Sequence, residues 1–164
     1  MSEPDALLGI LSALEVAGVD CIVVGGLAAL HHGAPVVTQD VDIVHQRTDA
    51  NIGRLLDFIA RVHGYQRYDP ARRRLAPERS HLTGAGHVNL ATDLGELDIL
   101  CELELGVGYE QLESESTLYS AAYSHIRVLS LARVIEAKTK ANRAKDRLAL
   151  PILIATLDEV RRRG

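Results

Sequence analysis

Tryptophan is absent, phenylalanine occurs once, and only two cysteines are present in 164 residues. Cys21 and Cys101 each lie in an apolar, strand-like run, with no second Cys or His at metal-ligand spacing. Their placement argues against a disulfide framework or a structural zinc and predicts two buried thiols in a reducing compartment. His81, His87 and His125 form no metal-binding spacing either. Long apolar stretches are also missing. The longest, Cys21 to Leu30, falls well short of the roughly 20 residues that span a bilayer. The amino terminus, MSEPDALLG, has no basic leader and no apolar signal segment. The expectation is a cytoplasmic protein with no membrane partner. Tyr65, Tyr68, Tyr109, Tyr119 and Tyr123 are scattered along the chain, so no aromatic platform for single-stranded RNA emerges.

What is present suffices for one compact domain with its own core: 47% hydrophobic and 24% charged residues. The net charge of -4 hides an asymmetry. Arg61, Arg67, Arg72, Arg73, Arg74 and Arg79 cluster against only Asp69 and Glu78, whereas Asp93 to Glu115 is acidic throughout, with no Lys or Arg. Such runs are either solvated faces or, for the arginines, a surface that meets a polyanion.

Hydrophobic spacing predicts a first helix over Asp5 to Ala17, with Leu7, Leu8, Leu11 and Leu14 on one stripe and Gly18 as the stop. Strands are expected at Asp20 to Gly25, Val41 to His45, His87 to Thr92, Glu96 to Leu103 and His125 to Leu129. Helices are expected at Gly26 to His32, Asp49 to His63 with Asp49 as cap, and Ser130 to Asn142, with a short helix or turn at Tyr109 to Ser114. A further helix from Asp146 should turn or kink at Pro151. Tyr65 to Arg79 reads as a loop or weak edge strand. Early alternation of helix and strand, with a hairpin at Asp93-Leu94-Gly95, indicates an α/β (α+β) domain with a mixed β-sheet. The division is a core over residues 1–129 with helices 130–164 packed on it.

Two features of VVGGLAALHHGAPVVTQDVDIV carry chemistry. Alternation along a strand puts Asp40 and Asp42 on one face, with Val41 and Ile43 on the other. Two adjacent carboxylates repel and resist desolvation, unless both stay solvated or a cation lies between them, as in two-metal phosphoryl-transfer sites. A third acid, Asp98, interrupts another apolar strand in GELDILCEL. Gly25-Gly26 closes a strand and opens a helix, whose free N–H groups suit a phosphate.

The order VVGG, then TQDVDIV, then ELDIL resembles the nucleotidyltransferase superfamily with the DNA polymerase beta fold, from about Asp20 through Leu100. Within it, GGLAALHHGAPVVTQDVDIV and RVLSLARVIEAKTKANRAKD look most like the small prokaryotic proteins related to the AbiE abortive-infection toxin (the AbiEii-like group). The resemblance implies that Asp40, Asp42 and Asp98 hold two Mg2+ ions, with Mn2+ as an alternative. Asp98 would also help deprotonate an attacking hydroxyl, and Gly25 and Gly26 would let backbone amides approach the triphosphate. Two departures stand out. Many members have Ser at the position of Gly26, and relatives of this group often have Arg at the position of Val36. The triphosphate grip must then come partly from elsewhere.

Lys138 continues the stripe of Leu131, Val134 and Ile135, so its ammonium either snorkels to solvent or turns toward the acids. Arg143 and Lys145 would assist it in binding nucleotide, with Asp146 orienting one of them or capping the next helix. Thr38 either touches phosphate or sugar or is a turn residue. His31 and His32 suit a helix carboxyl end. The reading is a Mg2+-dependent transferase moving NMP from an NTP to a hydroxyl acceptor, tRNA or protein, with Arg72, Arg73 and Arg74 facing the acceptor. It would be the toxin of a toxin–antitoxin or abortive-infection pair, with a cognate antitoxin as partner, or a cognate toxin if the chain is the antitoxin-like member. The rival is a catalytically weak or inactive module of the same fold acting as a regulatory or antitoxin-like binding partner. A generic metal-dependent phosphohydrolase accounts for the acids but not for the Gly-Gly helix.

Overall fold

The computed structural model describes residues 3–164. Its centre is a seven-stranded mixed sheet. In chain order the strands are β1 (Cys21–Val24), β2 (Asp40–His45), β3 (Tyr65–Gln66), β4 (His87–Thr92), β5 (Gly95–Leu100), β6 (Ser116–Leu118) and β7 (Ile126–Leu129). Across the sheet the order is β3-β4-β5-β2-β1-β7-β6. β1 runs parallel to β7 and β2 parallel to β5, and the other pairings are antiparallel. The helices are α1 (Glu3–Val16), α2 (Gly25–His31), α3 (Asp49–Arg61), α4 (Arg79–Thr83), α5 (Tyr109–Leu112), α6 (Leu131–Ala141) and α7 (Ala144–Arg163).

Alternation on the central strands decides which face each helix covers. Val41, Ile43, Leu97 and Ile99 are fully buried and share the face against which α1 lies; a Cβ on Gly95 would sit 3.5 Å from Ile10 Cδ1. Burial of such side chains stabilises by about 1.5–3 kcal/mol each. On α1 the stripe is Leu7, Ile10, Leu11 and Leu14, whereas Leu8 is 47% exposed. The stripe is thus set one step away from the expected one, because Ile10 lies on the same side as Leu7, Leu11 and Leu14. Gly18, at φ +70°, ends the run.

The cap of α3 is Thr48 rather than Asp49: its side chain accepts a hydrogen bond from the Asn51 backbone N–H. Asn51 is itself fully buried, bonded to Asp20 N, Asp20 O and Gln46 O, and so ties α3 to the chain flanking β1 and β2. α6 is capped by Ser130 and ends in Asn142 at φ 49°. α7 continues through Pro151 without interruption. Among the described residues no helix is long and apolar enough to cross a membrane. Cys21 and Cys101 are free and buried. Tyr119 and Tyr123, far from His31 in sequence, form one aromatic contact chain with it, at centroid distances of 4.5 and 5.4 Å.

Candidate active site

The parallel pairing of β2 and β5 aligns Asp42 with Asp98 and Asp40 with Glu96. All three predicted aspartates therefore project from one face, opposite the core face that carries Val41 and Ile99. One carboxylate oxygen from each of Asp40, Asp42 and Asp98 lies within 4.8 Å of the others. The three acids meet. Oxygen donors at this spacing suit a hard divalent cation.

The charge is costly where it sits. Burial, then repulsion from Asp40 and Asp98, pushes the Asp42 carboxyl up to about 7 from an ordinary 3.8, although Lys145 and Lys138 pull it the other way. Asp98 is also raised, by burial foremost, against a hydrogen bond from the Asn89 side chain and the charge of Arg67. Two carboxylates that resist ionisation side by side are the electrostatic signature of a site short of positive charge. A divalent cation would supply it, and the three oxygen donors fit one.

The Gly-Gly pair closes over the acids. Gly25 has φ +64°, a left-handed conformation, and a Cβ there would fall 2.5 Å from Asp42 Oδ2. Only glycine lets the backbone pass this close. At Gly26 a Cβ would meet Thr38 Cβ and Oγ1, each at 3.0 Å. Thr38 therefore occupies the space that a serine at 26 would crowd. Its hydroxyl donates to the Asp40 carbonyl at 3.1 Å, which anchors the entry to β2.

A cleft of about 900 Å³ opens over these groups, lined by Gly25, Asp42, Asp98, Arg67, Lys138 and Lys145 among others. That volume accommodates a nucleotide-sized ligand. Lys138 lines the cleft, and its ammonium is 3.3 Å from Asp146 Oδ1. Asp146, 0% exposed, does both jobs expected of it: it accepts from the Arg143 backbone N–H and pairs with Arg143 Nε at 2.7 Å. Lys145 makes no ion pair among the described residues, yet its charge acts on Asp42. Arg143 reaches the cleft wall with its guanidinium tied to Asp146.

The opposite wall is built around Arg67. Arg67 pairs with both Asp98 and Glu96, whereas Arg72, Arg73 and Arg74 do not line the cleft. Arg73 is held by Asp69 and Arg74 lies over the Tyr65 ring at 5.2 Å. Arg67 and Asn89 are the site residues that sequence reasoning missed. The available signal was position: Arg67 directly follows the edge strand β3, and Asn89 faces Asp98 across the β4–β5 hairpin.

No family model and no curated protein matches the chain. Among solved structures, it is similar to a Thermotoga maritima protein provisionally assigned as a nucleotidyltransferase, at 19% identity and a TM-score of 0.56. The match covers 94% of this chain and 96% of that one. At that identity the likeness establishes the fold, a mixed sheet flanked by helices as in that neighbour.

Proposed function

We propose that the chain is a Mg2+-dependent nucleotidyltransferase that moves NMP from an NTP to a hydroxyl acceptor. The observation that carries this reading is the convergence of Asp40, Asp42 and Asp98 beneath a glycine turn that only a Cβ-free residue can make. The shared fold with a provisionally assigned nucleotidyltransferase supports it.

In the reaction, the acceptor oxygen attacks the α-phosphorus, the bond to the bridging oxygen breaks, and pyrophosphate leaves. Asp40, Asp42 and Asp98 would hold the divalent cations, which neutralise charge on the transferring phosphoryl group and on pyrophosphate when bound. Asp98, raised by its burial, takes up the hydroxyl proton on its carboxylate. Backbone N–H groups at Gly25 and Gly26 approach the triphosphate without side-chain interference. Lys145 supplies the cationic contact to the outer phosphates, in place of the serine and arginine that Gly26 and Val36 do not provide. Asp146 keeps Lys138 and Arg143 on the same wall, and Thr38 positions Asp40.

The acceptor is tRNA or a protein side chain, and the setting is the toxin of a paired toxin–antitoxin system. Each α-labelled NTP, incubated with Mg2+, total RNA and cell lysate, tests transfer. Label should enter one macromolecular class with the wild type and vanish with Asp42→Asn. Absence of binding by all four NTPs in titration calorimetry would overturn the reading. Growth arrest on expression of the wild type, relieved by Asp42→Asn, tests the toxin role.

A further inference from the structure

Arg67 is the one cation whose guanidinium contacts an aspartate of the site directly, among the described residues. Its side chain is only 11% exposed, with one terminal nitrogen on Asp98 and the other on Glu96. Nε is buried without a hydrogen-bond partner. The side chain is thus inserted for its two carboxylates, at the expense of its third donor direction. Its backbone is fixed, since Arg67 N donates to Asn89 O at 2.9 Å, and any movement must come from the flexible stem. Glu96, at 53% exposure, sits at the solvated edge, whereas Asp98 is 15% exposed.

We propose that Arg67 is an internal counter-ion that holds Asp98 in the cation-free chain and is retained by Glu96 when a divalent cation claims Asp98. This rests on the reading of the three aspartates as a cation site. A guanidinium and a divalent cation compete for the same carboxylate lone pairs. A positive charge among three carboxylates packed this closely lowers the cost of their mutual repulsion. The Arg67–Asp98 pair therefore stabilises the empty site and opposes its filling. Arg67 is a positioning residue: it sets where Asp98 points and how readily Asp98 is released.

Mn2+ titration followed by electron paramagnetic resonance tests the proposal with the wild type, Arg67→Gln and Lys145→Gln. A charge-assisted hydrogen bond carries about one to two powers of ten in an equilibrium constant, so Arg67→Gln should bind Mn2+ at least about tenfold more tightly. Lys145→Gln, which acts on Asp42 through space only, should gain about threefold or less. An Arg67→Gln affinity equal to or below wild type, or a gain no larger than that of Lys145→Gln, overturns the proposal while leaving the cation site standing. Binding by none of the three removes the cation site and the proposal together. A second readout needs no variant for its result: 15N spectra of the wild-type arginine side chains during a Mg2+ titration. Arg67 signals should show hindered rotation at first and change as Mg2+ saturates. Unchanged Arg67 signals, with the Asp40 to Asp42 amides shifted to saturation, overturn it.

Discussion

Removing the Asp42 charge should make the metal-free protein more stable. The folded chain holds this carboxyl at about 7 instead of 3.8, so between those values the folded state keeps a proton that the unfolded state has released. Stability from this group is fully present below its unfolded value, falls as pH rises, and levels off above about 7. The difference between those two values corresponds to about 4 kcal/mol. Asp42→Asn never ionises and keeps the shape of the side chain. In EDTA at pH 8 it should gain about 2–4 kcal/mol, the lower figure applying if its amide finds no acceptor. For a domain of this size that raises Tm by about 4 to 16 °C. At pH 4 the two proteins should melt close together.

Circular dichroism melts of both proteins in EDTA from pH 4 to 8 give the comparison. Adding Mg2+ at pH 8 supplies the second half, since a ligand at one hundred times its Kd stabilises by about 2.7 kcal/mol. The wild type should rise and Asp42→Asn should not. Parallel pH curves, or a variant less stable than wild type at pH 8, would refute the claim that Asp42 is held in an electrostatically strained position.

Gly25→Ala must place a Cβ against Asp42 at φ +64°; it should lose about 2 kcal/mol in urea unfolding and lose Mn2+ binding. Asp146→Asn removes the 0%-exposed partner of Lys138 and Arg143 and should cost about 3 kcal/mol at neutral pH. Although burial opposes it, hydrogen bonds from Arg143 hold Asp146 below its ordinary value. Its contribution is therefore present above the unfolded value and lost as pH falls through the folded one, so wild type and Asp146→Asn should converge in stability in acid. Lys145→Gln, exposed and without an ion pair among the described residues, should leave Tm unchanged and weaken NTP affinity about tenfold by calorimetry. Asn51→Ala removes the side-chain partner of Asp20 N and Gln46 O, while Asp20 O keeps the Gln46 backbone N–H; a loss of about 2–3 kcal/mol in chemical denaturation is expected.

Strand alternation made the acidic face legible, because Asp40 and Asp42 stand out in an otherwise apolar strand and only one face can hold them. Asp98 was legible for the same reason, and the register that aligns it with Asp42 turns the likeness of two strands into a shared site. Arg67 was hidden because the stretch from Tyr65 to Arg79 has no periodicity that would set it apart from the neighbouring Arg72, Arg73 and Arg74. Its role depends on β3 pairing with β4 at the sheet edge, a tertiary fact that two residues of strand cannot announce. β6 and α4 are similarly short, at three and five residues, with too few turns or alternations to read. Helical spacing put Lys138 on the inward stripe of α6, and in the fold it lines the cleft. Its partner lies across the left-handed turn at Asn142, so the ion pair with Asp146 follows from how α6 and α7 pack together.

Anomalous scattering from crystals grown with Mn2+ and a non-hydrolysable NTP would locate cation and triphosphate together. At least one Mn2+ peak is expected within about 2.1 Å of oxygens from Asp40, Asp42 and Asp98, with the triphosphate between the Gly25 turn and Lys145. An ordered nucleotide bound elsewhere, or a triphosphate in the cleft with no cation on the three aspartates, would contradict it.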